Sequence, residues 1–381
     1  MTPFTLTCPH EALLAAVQTA FGAVERRNTI PVLANLLLEA DAAGGLRVSG
    51  TDLDVMTSVV TGLPCEPQDH AGFTLPAALL HDILRKLPDK AEVTLKASDH
   101  GQAALSCGRS RFSLATLPAE DWPRLEPWRN VEPARFEVPA TKFAAMLASV
   151  GFAISTEETR YYLNGVYMHA LGDQLITVAT DGHRLARAIY SVANGLADMP
   201  GVIIPTKTVG LVSKALDKVA AGASIGISVS EAMISFEIGA VRIASKLIDG
   251  TFPDYQRVIP EGGENRWRFD VAALGAAVER VSIISSERGR AIKMRWGREL
   301  LDLTVTNPDA GDGQEDMPVI SEAGDDIEIG FNARYLGQML AHMSGQATVA
   351  MASNGAPARF EPVHADDDEI EMTFVLMPMR V

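Results

Sequence analysis

One pattern recurs three times along this chain of 381 residues, and it constrains the fold more than any single motif. Phe4-Thr5-Leu6, Phe136-Glu137-Val138 and Phe269-Asp270-Val271 each open a strand-like alternation that runs into an apolar helical pattern. In mid-repeat, Phe73-Thr74-Leu75-Pro76, Val202-Ile203-Ile204-Pro205 and Ile329-Gly330-Phe331-Asn332 do the same. Thr51-Asp52, Thr180-Asp181 and Thr306-Asn307 return at similar offsets, as do Arg111-Phe112, Arg242-Ile243 and Thr373-Phe374. Self-similarity at a fixed period marks a fold assembled from equivalent units. One third of the chain is domain-sized, too long for a solenoid repeat and large enough to bury its own core.

Each third reads as strand, helix, several strands, then the same again. Strands outnumber helices, so the expected class is α+β, with helices on one side of long sheets. Polar, Pro- or Gly-containing stretches at 126–133 and 260–265 precede new Phe-initiated strands. They divide the chain into residues 1–130, 131–262 and 263–381.

The net charge of −15 argues against bulk electrostatic coating of DNA or anionic membranes. Its distribution is uneven. The expected helical windows 8–28, 77–90, 139–160, 205–218, 272–290 and 332–346 carry 0, +1, 0, +2, +1 and +1, leaving −20 on the rest. No run approaches the length of a membrane helix. Met1 to Glu11 has neither a basic start nor an apolar core, and Cys8, Cys65 and Cys107 form no CxxC. These features lead us to expect reduced thiols in a cytoplasmic protein.

Six collinear segments resemble one family. They are Arg27-Asn28-Thr29-Ile30-Pro31-Val32-Leu33, Gly108-Arg109-Ser110-Arg111-Phe112-Ser113-Leu114, Thr159-Arg160-Tyr161-Tyr162-Leu163-Asn164-Gly165, Ala179-Thr180-Asp181-Gly182-His183-Arg184-Leu185-Ala186, Asp249-Gly250-Thr251-Phe252-Pro253-Asp254-Tyr255 and Met377-Pro378-Met379-Arg380-Val381. Together they resemble the bacterial DNA polymerase III beta subunit family, the sliding clamps. The resemblance implies three similar clamp domains and a head-to-tail homodimer. Its ring would encircle duplex DNA regardless of sequence, with helices lining the interior and sheets outside. It implies a non-catalytic processivity factor without cofactor or metal. The implied partners are the DNA polymerase III catalytic subunit, a clamp loader, and other polymerases and repair proteins that carry a short clamp-binding peptide. Simple geometry agrees: six such domains, each about 36 Å across, leave a hole about 36 Å wide, whereas three leave about 6 Å. A duplex with grooves roughly 8 Å deep is about 20 Å across. A weakly basic lining within an acidic shell would confine DNA without gripping it.

The same resemblance assigns candidate sites. Arg27, Tyr161, Tyr162 and Lys207 match DNA-contacting positions of the family. Three departures make the lining less basic: Ala78 and Thr206 replace arginines, and Glu157 replaces a glutamine. Solvated helix-end charges and strand-edge packing are the plain alternatives for these residues. The walls of a partner-peptide pocket come from Leu163, Thr180, Gly182, His183, Arg184, Leu185, Pro253, Arg257, Val258, Asn332, Tyr335, Val375, Leu376, Met377, Pro378, Met379 and Arg380. Methionine adapts to varied apolar ligands, and a concave apolar pocket with few polar groups is the usual ligand site. Val375 and Leu376 could instead pack into the core, whereas Met377 to Arg380 make a poor core strand. Arg109, Phe112 and Leu114 on one side, and Ile283 and Ile284 on the other, match the subunit contact; the two isoleucines could equally be helix core.

Two other readings remain at this level. Asp181 could orient His183 as a general base in a hydrolase, although no nucleophile, metal-ligand spacing or phosphate loop accompanies them. An Asp-Gly turn with His183 and Arg184 exposed explains the same residues. A repeat scaffold binding only proteins is the third possibility.

Overall fold

The structure, a computed structural model, describes residues 4–25, 29–41, 43–66, 72–98, 101–125, 128, 131–285, 290–363 and 370–380. The repeated junction of strand and helix is built the same way each time. Strands Phe4–Pro9, Ala134–Pro139 and Asn265–Asp270 run without a break into helices α1 (His10–Phe21), α3 (Ala140–Gly151) and α5 (Val271–Ser282). Strands Phe73–Pro76, Val202–Pro205 and Ile327–Asn332 run into α2 (Ala77–Leu84), α4 (Thr206–Leu216) and α6 (Ala333–Leu340). The residue at each junction is Pro, Asp or Asn. Proline lacks the N–H that would continue a ladder. Asp270 and Asn332 instead accept N–H groups of the first helical turn, from Ala273 at 2.8 Å and from Arg334 and Tyr335 at 3.0 and 3.2 Å.

Side-chain periodicity then selects the buried face. Phe4, Leu6 and Cys8 alternate inward on the first strand, and His10, Leu13, Ala16, Val17 and Ala20 form one stripe of α1. Leu13 is fully buried, worth about 1.5–3 kcal/mol relative to exposure. In α5, Val271, Leu274, Ala277, Val278 and Val281 repeat that stripe. All three cysteines are free and buried, and burial, followed by the charge of Glu92, pushes the Cys8 thiol up to about 11.

The compact units do not follow the sequence thirds. One comprises Met1–Thr141 with Gly210–Leu247, the other Lys142–Val209 with Ile248–Val381. Strand pairing gives the reason. In the first unit, Val241–Lys246 lies antiparallel to Val55–Glu66, so the second half-repeat of the middle third extends the sheet of the first half-repeat of the first third. In the second unit, Ile370–Leu376 joins Arg184–Ser191 in the same manner, one third further along. Across repeat boundaries, the second half of one third therefore pairs with the first half of the third before it.

Among the strands that end sheets in the described residues are two whose repeat counterparts pair with each other elsewhere in the chain. Ser110–Ala115 ends the long sheet of the first unit, and Gly311–Pro318 ends a four-stranded sheet of the second. By repeat position they correspond to the strands that pair elsewhere.

Candidate partner-binding and DNA-facing sites

The second unit carries a turn at Thr180–Arg184 that its own residues build. Gly182 has φ +86°, a conformation glycine adopts without steric cost. Thr180 donates its hydroxyl to the Arg184 carbonyl at 2.7 Å. The Asp181 carboxylate accepts the main-chain N–H groups of His183 and Arg184 at 2.9 and 3.0 Å. Asp181 therefore holds the turn and Arg184 rather than the His183 imidazole. The general-base pairing considered from sequence is not formed.

Arg184 corrects the sequence expectation of an exposed pair. It is only 8% exposed, while His183 lies outside. Its guanidinium donates to Asp181 at 3.1 Å, to the Gln338 side-chain oxygen at 2.6 Å and to the Phe152 carbonyl at 2.7 Å. It also lies over the rings of Phe152 and Tyr335, 5.0 and 4.5 Å from their centroids. Full hydrogen bonding offsets the desolvation of this charge. Phe152 and Gln338 carry no sequence signal for this role, because tertiary packing alone brings α6 and the end of α3 to the turn.

The other residues expected at the partner-peptide pocket divide into buried and exposed. Leu163, Leu185 and Val375 belong to one buried cluster with Phe252 and Tyr255, and Phe252 stacks on Tyr167 at 4.8 Å. Leu376 is fully buried and Val375 2% exposed, the core packing that the sequence left open for this pair. Pro253, Arg257, Val258, Met377 and Arg380 are exposed, with Pro378 and Met379 intermediate. Met377 donates its N–H to the His183 carbonyl at 2.9 Å, and Met379 to that of Gly330 at 2.8 Å, which pins the terminal segment beside the turn. The Asn332 side chain is occupied in capping α6. A cavity of about 720 Å³, lined by Glu157, His183, Arg184, Arg334 and Tyr335 among others, adjoins this turn.

The DNA candidates are scattered by comparison. Arg27 lies outside the described residues. Tyr161 and Tyr162 lie on the 3₁₀ turn Glu158–Leu163, neither on a strand nor in an irregular loop. Tyr161 is exposed and meets half-buried Tyr162 edge-on at 5.7 Å. Glu157 pairs with Arg160 at 2.7 Å, and that bond holds its carboxyl below the usual range. Thr206 and Lys207 are exposed at the start of α4, and Ala78 is exposed on α2.

At the expected subunit contact, Arg109 is exposed and Phe112 intermediate, but Leu114 is 2% exposed within the core of its own unit. Leu114 cannot offer its side chain to a partner; its strand offers a backbone edge. Ile283 caps α5 at 80% exposure, which removes the helix-core alternative for it. Ile284 is intermediate and lies alongside Gly313 of the other edge strand.

Comparison with known proteins accounts for this arrangement over the whole chain. Residues 4–126, 137–254 and 256–380 match the N-terminal, central and C-terminal domains of the DNA polymerase III beta subunit. The beta sliding clamp of Caulobacter vibrioides is 40% identical over 382 residues, covering 99% of this chain and all of that protein. The Escherichia coli K12 beta sliding clamp is 32% identical over 376 residues, covering 98% and 99%. Among solved structures, a Bartonella birtlesii sliding clamp bound to griselimycin superposes with a TM-score of 0.91 at 38% identity over the full length of both chains. One from Pseudomonas aeruginosa, also bound to griselimycin, gives 0.91 at 33%, covering 99% of this chain and all of the other. The chain belongs to the DNA polymerase III beta subunit family, the sliding clamps, which are non-catalytic processivity factors with a three-domain fold.

Proposed function

We propose that two copies of this chain close head to tail into a ring around duplex DNA and hold the replicative polymerase on its template. The observation that carries the reading is the pair of unpaired edges Ser110–Ala115 and Gly311–Pro318, which stand at the two repeat positions that pair with each other elsewhere. Within the chain, every other strand at those repeat positions pairs with its counterpart from a neighbouring third. An exposed edge is a template for another chain, and joining these two edges between copies satisfies both. Ile283, exposed beside one edge, and Phe112 and Arg109, on and beside the other, supply the contacts around that pairing.

In this reading the three domains meet near residues 130 and 263. Tyr161, Tyr162, Lys207 and Arg27 face the duplex, and Glu157 tempers that surface. A clamp loader opens the ring. The groove beside His183, Arg257, Val258 and Met377 takes the short clamp-binding peptide of the DNA polymerase III catalytic subunit and of other polymerases and repair proteins. The Caulobacter crescentus clamp, solved with PEG bound at a region assigned to beta-motif tethering, supports a peptide role for such a groove. Acting on DNA inside the cell, the protein works in the cytoplasm in this reading, as the sequence leads us to expect. The deciding experiment loads it onto a nicked plasmid and then linearises the plasmid. Release from the linear form, with retention on the circle, is expected; equal retention on both defeats the proposal.

A further inference from the structure

The first unit carries a recess that none of the sites above uses. Its floor is one sheet face, where strand pairing sets two rows of side chains. Leu37 lies opposite Ser49, Ser49 opposite Ser58, and Ser58 opposite Arg242. In the next row Glu39 lies opposite Arg47, and Arg47 opposite Val60. Trp122 and Arg124 form a wall, and the enclosed volume is about 260 Å³.

Charge inside this recess is unbalanced. Glu39 is 7% exposed, and Arg124 takes its carboxylate through both terminal nitrogens, at 2.7 and 3.4 Å. Arg47 reaches the same carboxylate only at 3.8 Å. Arg242 donates to the Ser235 hydroxyl at 3.4 Å and pairs with no carboxylate among the described residues. Among the lining residues three guanidiniums face one carboxylate, and Glu237, opposite Arg242 on the next strand, flanks the recess without an ion pair to it, so the recess keeps a positive surplus on a chain whose net charge is −15.

The repeat register gives this face a counterpart. Tyr167, Val178, Arg187 and Thr373 occupy the same row in the second unit, where Phe252 stacks on Tyr167 and fills the space. Met56 lies opposite Thr51 and Ala244, as Leu185 lies opposite Thr180 and Val375. The first unit thus keeps the sheet but sets Leu37, Ser49 and Ser58 where the second has Tyr167, Val178 and Arg187, and carries its arginine one strand further along the row, at Arg242 in place of Thr373.

We propose that this recess docks a short acidic peptide segment of a partner protein. One apolar anchor side chain rests on Met56, Val60 and Trp122, and flanking carboxylates pair with Arg47 and Arg242. The volume lies just below the roughly 300–1,000 Å³ of ordinary small-molecule pockets, which suits a single side chain. Acidic peptide fits better than nucleic acid, because a phosphate backbone would leave the apolar half of the recess without a partner. The site is separate from the groove beside His183, so it does not depend on that assignment.

The test titrates the full-length protein with a fluorescein-labelled pentapeptide of four acidic residues around a central phenylalanine. A counterpart with four amides and a short oligothymidylate serve as competing probes. The acidic peptide should bind more tightly than the amide form, weaken as salt rises, and shift the Met56 methyl resonance. The double variant Arg47→Ala with Arg242→Ala should weaken binding by about tenfold or more, with the paired lysine substitutions retaining most of it. Unchanged melting of these variants shows that they fold. Equal binding of both peptides, an unaffected alanine double variant, shifts confined to Met377 and Met379, or displacement by oligothymidylate would each overturn the proposal.

Discussion

The Arg184 guanidinium lies 4.5 Å from the centroid of the Tyr335 ring, linking a strand turn to α6 through a buried cation. A lysine at 184 keeps the charge but loses the planar stack and the fork that reaches Asp181, Gln338 and the Phe152 carbonyl together. Arg184→Lys should cost about 2–4 kcal/mol of stability and weaken binding of a clamp-binding peptide. Chemical denaturation and peptide titration check the two effects; a variant as stable as the parent would show the network to be dispensable.

Glu157 and Arg160 make a second prediction. Their bond neutralises a cation beside Tyr161, and it persists until pH falls below the usual carboxylate range, because the Arg160 hydrogen bond lowers the Glu157 pKa. Glu157→Gln releases that cation, so non-specific affinity for open duplex should rise. The log–log salt slope should steepen by up to about one unit. Anisotropy titrations over a salt series read both. An unchanged slope means that Arg160 does not meet DNA.

Two histidines set a pH dependence of stability. Burial lowers the pKa of His169, against the main-chain hydrogen bond to Ala170, and its ring contacts the Tyr255 hydroxyl at 2.9 Å. Burial, then the charge of Arg184, lowers that of His342. Both groups favour the neutral ring when folded, so below pH about 6.5 the unfolded chain binds more protons. Their stabilisation is complete above that pH and is lost as pH falls towards the depressed folded values. Melting temperature should therefore decline between roughly pH 7 and 5. Replacing both histidines with glutamine should flatten the decline, and an identical profile would assign it to other groups.

Ile283 tests the subunit contact. At 80% exposure it contributes little to the folding of its own chain. Ile283→Asp should leave melting of the monomer unchanged while weakening association by about 2 kcal/mol or more, roughly thirtyfold. Sedimentation equilibrium measures this, and an unaltered mass distribution would remove Ile283 from the interface.

Local chemistry was readable wherever it acts over a few residues. The Pro, Asp and Asn junctions between strand and helix, the buried stripe of α1 and the Asp181-Gly182 turn all follow from residues within one turn of each other. The burial of the expected pocket residues was legible only in part. His183, Met377 and Val258, expected at the pocket, are exposed, but Leu376 and Leu114 belong to the core. Burial of a leucine depends on the neighbouring strand, which sequence alternation cannot specify. Phe152, Gln338 and the Glu39–Arg124 pair join positions far apart in the chain, and each residue alone looks ordinary.

By itself the sequence determined the threefold repetition, the α+β class and the order of strands and helices, since periodicity and caps are written in adjacent residues. Only the tertiary structure decided that compact units cut across those repeats, and which side chains became cation cages or open edges. The reason is that sheet hydrogen bonds and ion-pair desolvation depend on partners brought together by register, tens to hundreds of residues away.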